Sequence, residues 1–397
     1  MGNNRFKDIW YPAIAGFCAF FIGIGLGRFA YTPLIPALIH QEGFSVGDTS
    51  WLGSINFMGY LLGAFLGTQL KKFMNPALGI KIALVLSVLS FALCMFNFGF
   101  IWLGAWRFLI GITGAVLMIL TPSLVLKKVP GVYRGRVAGI MFTGMGFGVI
   151  LAGFVLPYLA NLNLIYAWLA ATVLSLLAVL ISWKEFSNFH LDHKNTHKNR
   201  AQNLAINLNQ NFPKWPVILL AMAYGLVAIG AVPHSVFLVN YVHQELKLDL
   251  VKSGFFWSIF GMGALIGPFL SGIMVDKLGA YKSLVLIFLA SCVVLPLLLF
   301  NQISFLYAAS AFFMGMFFPG IVTILSARLI ELVGSEHYPS TWGRMALYYS
   351  LTQALASGLM SYLLKTGFSY TGCFLIAEGA FLIASVLVVM ANVYTQE

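Results

Sequence analysis

The sequence predicts an all-α integral membrane protein of twelve transmembrane helices, arranged as two six-helix bundles. Three observations carry this. Of 397 residues, 60% are hydrophobic and only 9% charged, against about 25% charged in an ordinary soluble domain. Twelve apolar runs fill the chain, each near the roughly 20 residues that a spanning helix takes, and one long polar stretch divides them six and six. Lys and Arg collect in alternate loops. So little polar surface excludes a soluble enzyme, a nucleic-acid binder or a disordered scaffold.

The runs fall at 10–38, 49–70, 76–97, 100–126, 136–159 and 164–183, then at 215–240, 252–275, 281–300, 303–330, 341–364 and 368–394. They imply an N-terminal bundle at 1–183, a linker loop at 184–214 and a C-terminal bundle at 215–397. The first run follows Arg5 and Lys7 and is too long for a cleaved signal peptide, so it reads as the first span. Asp48, ahead of the second run, reads as a helix N-cap. In the linker, His190, His193 and His197 invite a metal reading. No Cys or paired carboxylate completes a ligand set, and a solvated basic linker is the simpler account. Cys18, Cys94, Cys292 and Cys373 are scattered through apolar runs as buried small hydrophobes.

Of the 23 Lys and Arg, Lys247, Lys252 and Lys365 lie in one set of loops and Arg28 and Arg107 within spans. All the others fall on the opposite side. Basic loops stay cytoplasmic, so the net charge of +11 sets topology and needs no nucleic-acid partner. Both termini are expected in the cytoplasm and the chain in the inner membrane.

The second span carries Gly59, Gly63 and Gly67, and the eighth Gly263, Gly267 and Ser271. Small residues every four positions let helix backbones approach closely in lipid. Gly135-Arg136-Val-Ala, entering the fifth span, is echoed by Gly343-Arg344-Met-Ala entering the eleventh. These echoes lie six spans apart, and duplicated halves are a transporter architecture with the substrate path between them.

After the eighth span, Gly272-Ile-Met-Val-Asp276-Lys277-Leu-Gly279-Ala-Tyr-Lys282 resembles the loop signature of the major facilitator superfamily. Ordinary topogenic charge is the alternative. The corresponding stretch after the second span has Lys71 where that signature has an acid, followed by Lys72. Arg107-Phe-Leu-Ile-Gly111-Ile-Thr-Gly114 is similar to the Arg-bearing motif of the superfamily's fourth span. GRFAYTPLIP at 27–36 and VPHSVFLVNYV at 232–242 resemble its YbfB/YjiJ-type branch. The resemblance implies alternating access, with spans one, four, seven and ten lining a central cavity. It also implies a cytoplasmic latch of Gly272, Asp276, Lys277, Gly279, Arg136 and Arg344.

A charge at mid-bilayer costs about 2.5–3.5 kcal/mol, so ionisable groups within spans are functional candidates. Arg28 is a substrate-anion ligand or an Arg bonding carbonyls freed near Pro33 and Pro36. Tyr31, three residues on, is expected on the same helix face. Arg107 is a gating, structural or ligand residue. His234 follows Pro233, which opens the helix locally; it serves proton or ligand work, or packing. Glu378 is a candidate for proton coupling on a span that the family makes peripheral. The substrate-binding set is thus Arg28, Tyr31, Arg107 and His234, and the proton-coupling set His234 and Glu378. No cofactor or metal is expected, and no GxxxxGK[ST] loop for ATP is present.

The reading that follows is a secondary active transporter, acting as a monomer in the bilayer on a small organic solute. Proton-coupled import of an anionic metabolite or carboxylate-type chelate competes with proton-driven efflux of amphiphiles. The surplus of Arg over Glu within spans favours an anion. The fifth span is Gly-rich but lacks the GPxxGG element of drug–proton antiporters. A membrane enzyme would need clustered His, Asp or Glu, and a transport-derived sensor a soluble signalling domain.

Overall fold

The computed structural model describes residues 2–130, 133–188, 213–245, 247–299 and 304–394. Among these no strand forms, and helices run almost end to end. They are α1 (Ile9–Glu42), α2 (Val46–Phe73), α3 (Pro76–Leu93), α4 (Phe100–Lys128), α5 (Arg134–Leu162) and α6 (Leu164–Ser187). The second half holds α7 (Lys214–Gln244), α8 (Leu250–Leu278), α9 (Ala280–Leu298), α10 (Ser304–Gly334), α11 (335–365) and α12 (Tyr370–Val393). The His190, His193 and His197 stretch and the side chains of Arg5, Lys7, Lys71 and Lys72 lie outside the described residues.

Local chemistry moves several expected boundaries. Ser45, not Asp48, is the N-cap of α2; Asp48 is the acid of a reciprocal capping box with it. The expected loop between α10 and α11 is helical up to a sharp turn at Gly334, whose φ of 72° suits only glycine without strain. Asp249 caps α8, and the Lys252 amide donating to it holds its carboxyl below the usual range. All four cysteines are free, three of them buried.

Ten of the twelve helices are long and apolar enough to cross a membrane by composition alone; α2 and α11 are not among them. The reason is where they pack. They face each other across the seam between bundles, and Ser54 Oγ lies 2.7 Å from Ser357 Oγ and 3.0 Å from Ser361 Oγ. A face turned to protein need not be lipophilic, so hydropathy understates these two spans.

The glycine repeats do what their spacing predicts. A Cβ on Gly59 would stand 2.1 Å from Phe108 O, and one on Gly63 2.3 Å from Ile112 O, so α2 lies backbone-to-backbone on α4. Six spans on, Gly263 would meet Phe312 O at 2.0 Å and Gly267 Met316 O at 2.2 Å, setting α8 on α10. The partners reciprocate: Gly111 is as close to Asn56 O as Gly315 is to Phe260 O, 2.1 Å in each case. The two bundles are therefore built on one packing plan.

The seam has a second helix pair, α5 against α8. Gly153 would meet the Ser258 amide at 2.5 Å, and Gly146 would meet Leu265 Cα at 2.8 Å. Ser258 Oγ donates to Ile150 O at 3.0 Å. With an even number of spans, α1 starts and α12 ends on one face, called here the terminal face; the opposite face is the far face.

Candidate functional site

The site grows from breaks in the first helix of each bundle. In α1, Gly23, Gly25 and Gly27 precede Pro33 and Pro36, and glycine and proline both weaken a helix. The chain passes through a π-turn at Phe21–Leu26, a short helix Gly27–Phe29 and a 3-10 turn Thr32–Leu34. Gly25 and Gly148 permit the approach of α5, since a Cβ on Gly25 would lie 2.9 Å from Gly148 Cα. In α7 the helix turns π-helical at Pro233–Phe237, as Pro233 leads one to expect. The breaks meet across the seam, where Thr32 Oγ1 donates to Ser235 O at 2.6 Å.

Arg28 sits at this junction, half-buried and midway along α1. Its Nη2 donates to Gln353 Oε1 on α11, bridging the bundles. Its guanidinium lies 4.7 Å from the ring centroid of Phe57, 5.2 Å from Tyr60 and 5.5 Å from Phe29. Tyr349 and Tyr224 lie within electrostatic reach on the other bundle and stack at 4.4 Å. Arg28 Nε is buried without a hydrogen-bond partner. Among the described residues no carboxylate is within ion-pairing distance of Arg28; the ion pairs that form, such as Lys128–Glu185 at 2.5 Å and Arg328–Glu331 at 2.8 Å, belong to helix ends.

Tyr31 turns toward α2 as Arg28 does, but meets none of the same side chains. The backbone between them stays in the right-handed helical region, so the separation comes from where the side chains reach. Its ring centroid lies 4.3 Å from the Arg107 guanidinium of α4, and its hydroxyl donates to Thr49 O of α2 at 2.8 Å. Arg107 is 2% exposed, and its Nη1 donates to Gly27 O at 3.2 Å. Arg107 thus holds a carbonyl just ahead of the bend, whereas Phe29 O, which Pro33 leaves without its helical donor, is held by Trp257 Nε1 and not by Arg28. Asn56 Nδ2 donates to Arg107 O at 3.0 Å, tying α2 to the same corner. Both guanidinium groups lack a carboxylate partner among the described residues.

His234 points away from the seam. It is fully buried within the C-terminal bundle, 3.3 Å from Ser310 Oγ through Nε2 and edge-on to Phe374 at 5.2 Å, and its Nδ1 has no hydrogen-bond partner. Glu378 lies on α12 toward Cys292 of α9, with Oε2 buried and unpartnered.

Further seam contacts close the far side. Trp257 Nε1 donates to Phe29 O at 3.0 Å, His40 and His243 meet Nε2 to Nε2 at 3.3 Å, and Lys365 lies 3.9 Å from Asp48. At the terminal face Arg136, Asp276, Lys277, Gly279 and Arg344 are exposed and Gly272 is half-buried. No ion pair reaches Asp276 among the described residues, so the latch expected there is not engaged. Sequence reasoning missed Gln353, Tyr60, Tyr224 and Tyr349; the one available signal was Gln353, an amide inside an apolar run.

Comparison with known proteins accords with this geometry. The family described as "Uncharacterised MFS-type transporter YbfB" matches residues 20–389. The uncharacterized MFS-type transporter YwfA of Bacillus subtilis (strain 168) is 27% identical, over 98% of this chain and 96% of its own length. The cis,cis-muconate transport protein of Acinetobacter baylyi (strain ATCC 33305 / BD413 / ADP1) is 24% identical, over 76% of this chain and 79% of its own. In fold, the crystal structure of D-xylose-proton symporter superposes with a TM-score of 0.76 at 15% identity, covering 95% of this chain and 96% of that one.

Proposed function

The chain belongs to the major facilitator superfamily, in the family of the YbfB transporter, and from that premise we propose that it carries a small organic anion by alternating access, with import driven by protons. The family is one of transporters, not enzymes. The observation that carries the anion is Arg28. It is a guanidinium midway along α1 on the seam, with one side-chain hydrogen bond, a buried unpartnered Nε and, among the described residues, no carboxylate near. A planar fork of five donors suits a carboxylate, and a bound anion offsets the cost of holding that charge in the membrane. Arg107 also keeps an unpartnered Nε, but it is fully buried against Gly27 O and Tyr31 and acts as the brace that fixes α1 beside the site. A relative named for cis,cis-muconate, a carboxylate, agrees with this reading.

The far side of the seam is bonded and the latch residues at the terminal face are solvated, as in a state open to the terminal face. The weight of Lys and Arg supports reading that face as cytoplasmic, and we take the chain to act as a monomer in an inner membrane. Asp276 and Lys277, with Gly272, Gly279, Arg136 and Arg344, then close the cytoplasmic side when the far side opens. For coupling, His234 and Glu378 each keep a buried unpartnered atom that can take or lose a proton. His234 adjoins Ser235, whose carbonyl holds Thr32 across the seam, so its charge acts on the α1–α7 contact.

Untargeted comparison of metabolites in cells with and without the protein tests the proposal. A carboxylate or similarly anionic compound should accumulate inside in a protein-dependent way. Accumulation of neutral or cationic compounds only would overturn it.

A further inference from the structure

Below Arg28, the seam face of α11 is aromatic. Gln353, Ser357 and Ser361 mark that face, since they bond Arg28 and Ser54 of the other bundle. Steps of three to four residues toward the terminal face lead to Tyr349, Trp342 and Tyr338, which share the stripe. Tyr349 stacks on Tyr224 of α7 at 4.4 Å, Tyr224 on Trp342 at 5.7 Å and Trp342 on Tyr338 at 5.9 Å, with interplanar angles of 29°, 23° and 21°. This is a ladder of near-parallel rings running from Arg28 to the terminal end of α11. Tyr349, Trp342 and Tyr338 are each half-buried. Across the seam, Phe57, Tyr60 and Phe29 surround the guanidinium.

A saturated carboxylate would need the cation and an apolar wall, which Leu or Ile supplies equally well. Near-parallel rings facing a cation offer something more specific. They stack on a flat π-system in offset geometry, at low cost in side-chain entropy. We infer that the transported anion is a planar one, an aromatic or fully conjugated carboxylate whose carboxyl meets Arg28 and whose plane stacks against the half-buried rings of Tyr60 and Tyr349. This rests on the reading of Arg28 as an anion site and narrows it to a substrate class.

The test uses purified full-length protein and four probes: benzoate, its saturated counterpart cyclohexanecarboxylate, the neutral isostere benzamide, and hexanoate. Dissociation constants are read by intrinsic tryptophan fluorescence and by thermal shift. Benzoate should bind about ten-fold tighter than cyclohexanecarboxylate or hexanoate, the scale of one good aromatic contact. In Tyr349→Leu that preference should fall to near unity, with carboxylates still bound better than the amide. Equal affinity for benzoate and cyclohexanecarboxylate in the wild type would overturn the planar class while leaving the anion site standing. Benzamide binding as tightly as benzoate would instead overturn the anion site. Failure of all four to bind at millimolar concentration would also sink the planar class.

Discussion

If solute passes between the bundles, joining α2 to α11 on the far side should arrest the protein with that side closed. Ser54 and Ser357 are the natural pair, with Oγ atoms 2.7 Å apart. A disulfide spans about 2.05 Å between sulfurs with its Cα atoms within about 6.8 Å, so the two side chains need draw in by only about 0.7 Å. Ser54→Cys/Ser357→Cys, in a background where Cys18, Cys94, Cys292 and Cys373 are replaced by Ala or Ser, should cross-link on mild oxidation without distorting either helix. Flux into proteoliposomes should fall in proportion to the cross-linked fraction and return on reduction. Binding of a ligand from the terminal face should survive, because Arg28 lies on the terminal side of the link. Ser54→Cys/Ser361→Cys, starting from 3.0 Å, should behave alike. Full flux through a quantitatively cross-linked sample would refute the seam as the path.

Other outcomes follow from the same geometry. Gly63→Ala puts a Cβ 2.3 Å from Ile112 O, about 1 Å inside ordinary contact, and should cost about 1–3 kcal/mol of stability. Gly139→Ala, exposed on α5 with nothing within 4 Å, should hold or slightly raise the melting temperature, since alanine favours a helix over glycine; equal losses would contradict the close-packed stripe. Asp276→Asn should slow transport at normal abundance and insertion, since the α2 counterpart of this loop carries Lys71; unaltered transport at equal protein level would remove the latch. Flux should respond to an imposed pH gradient and ignore replacement of sodium, and should lose the pH response in Glu378→Gln or His234→Gln. Flux that tracks sodium would refute proton coupling.

Much of the architecture was legible in the sequence because it is periodic. Glycines at every fourth position of α2 and α8 can serve only a close helix crossing, and the alternating basic loops count the spans. Pro233 announced the opening of α7. What spacing could not give was side-chain reach. Arg28 and Tyr31 both turn to α2, but Arg28 extends to Phe57 and Tyr60 while Tyr31 meets Thr49 and Arg107. The carbonyl that Pro33 frees, Phe29 O, is held by Trp257 of the other bundle, a partner that spacing within α1 could not show. Gln353, Tyr60, Tyr224 and Tyr349 are aromatic or amide residues in apolar runs, ordinary in any membrane helix. They become a site only when two bundles come together, and no local pattern encodes that.

The central claim is that Arg28 receives the anionic group of the solute, and Arg28→Lys tests it most directly. Lysine keeps the charge and loses the planar fork, so the variant separates a binding role from a packing role. Affinity for a bound carboxylate and thermal stability should be measured together on the purified variant. The account predicts a melting temperature close to the wild type with most of the affinity lost, at least ten-fold. A stable Arg28→Lys protein that binds carboxylate as tightly as the wild type would contradict it.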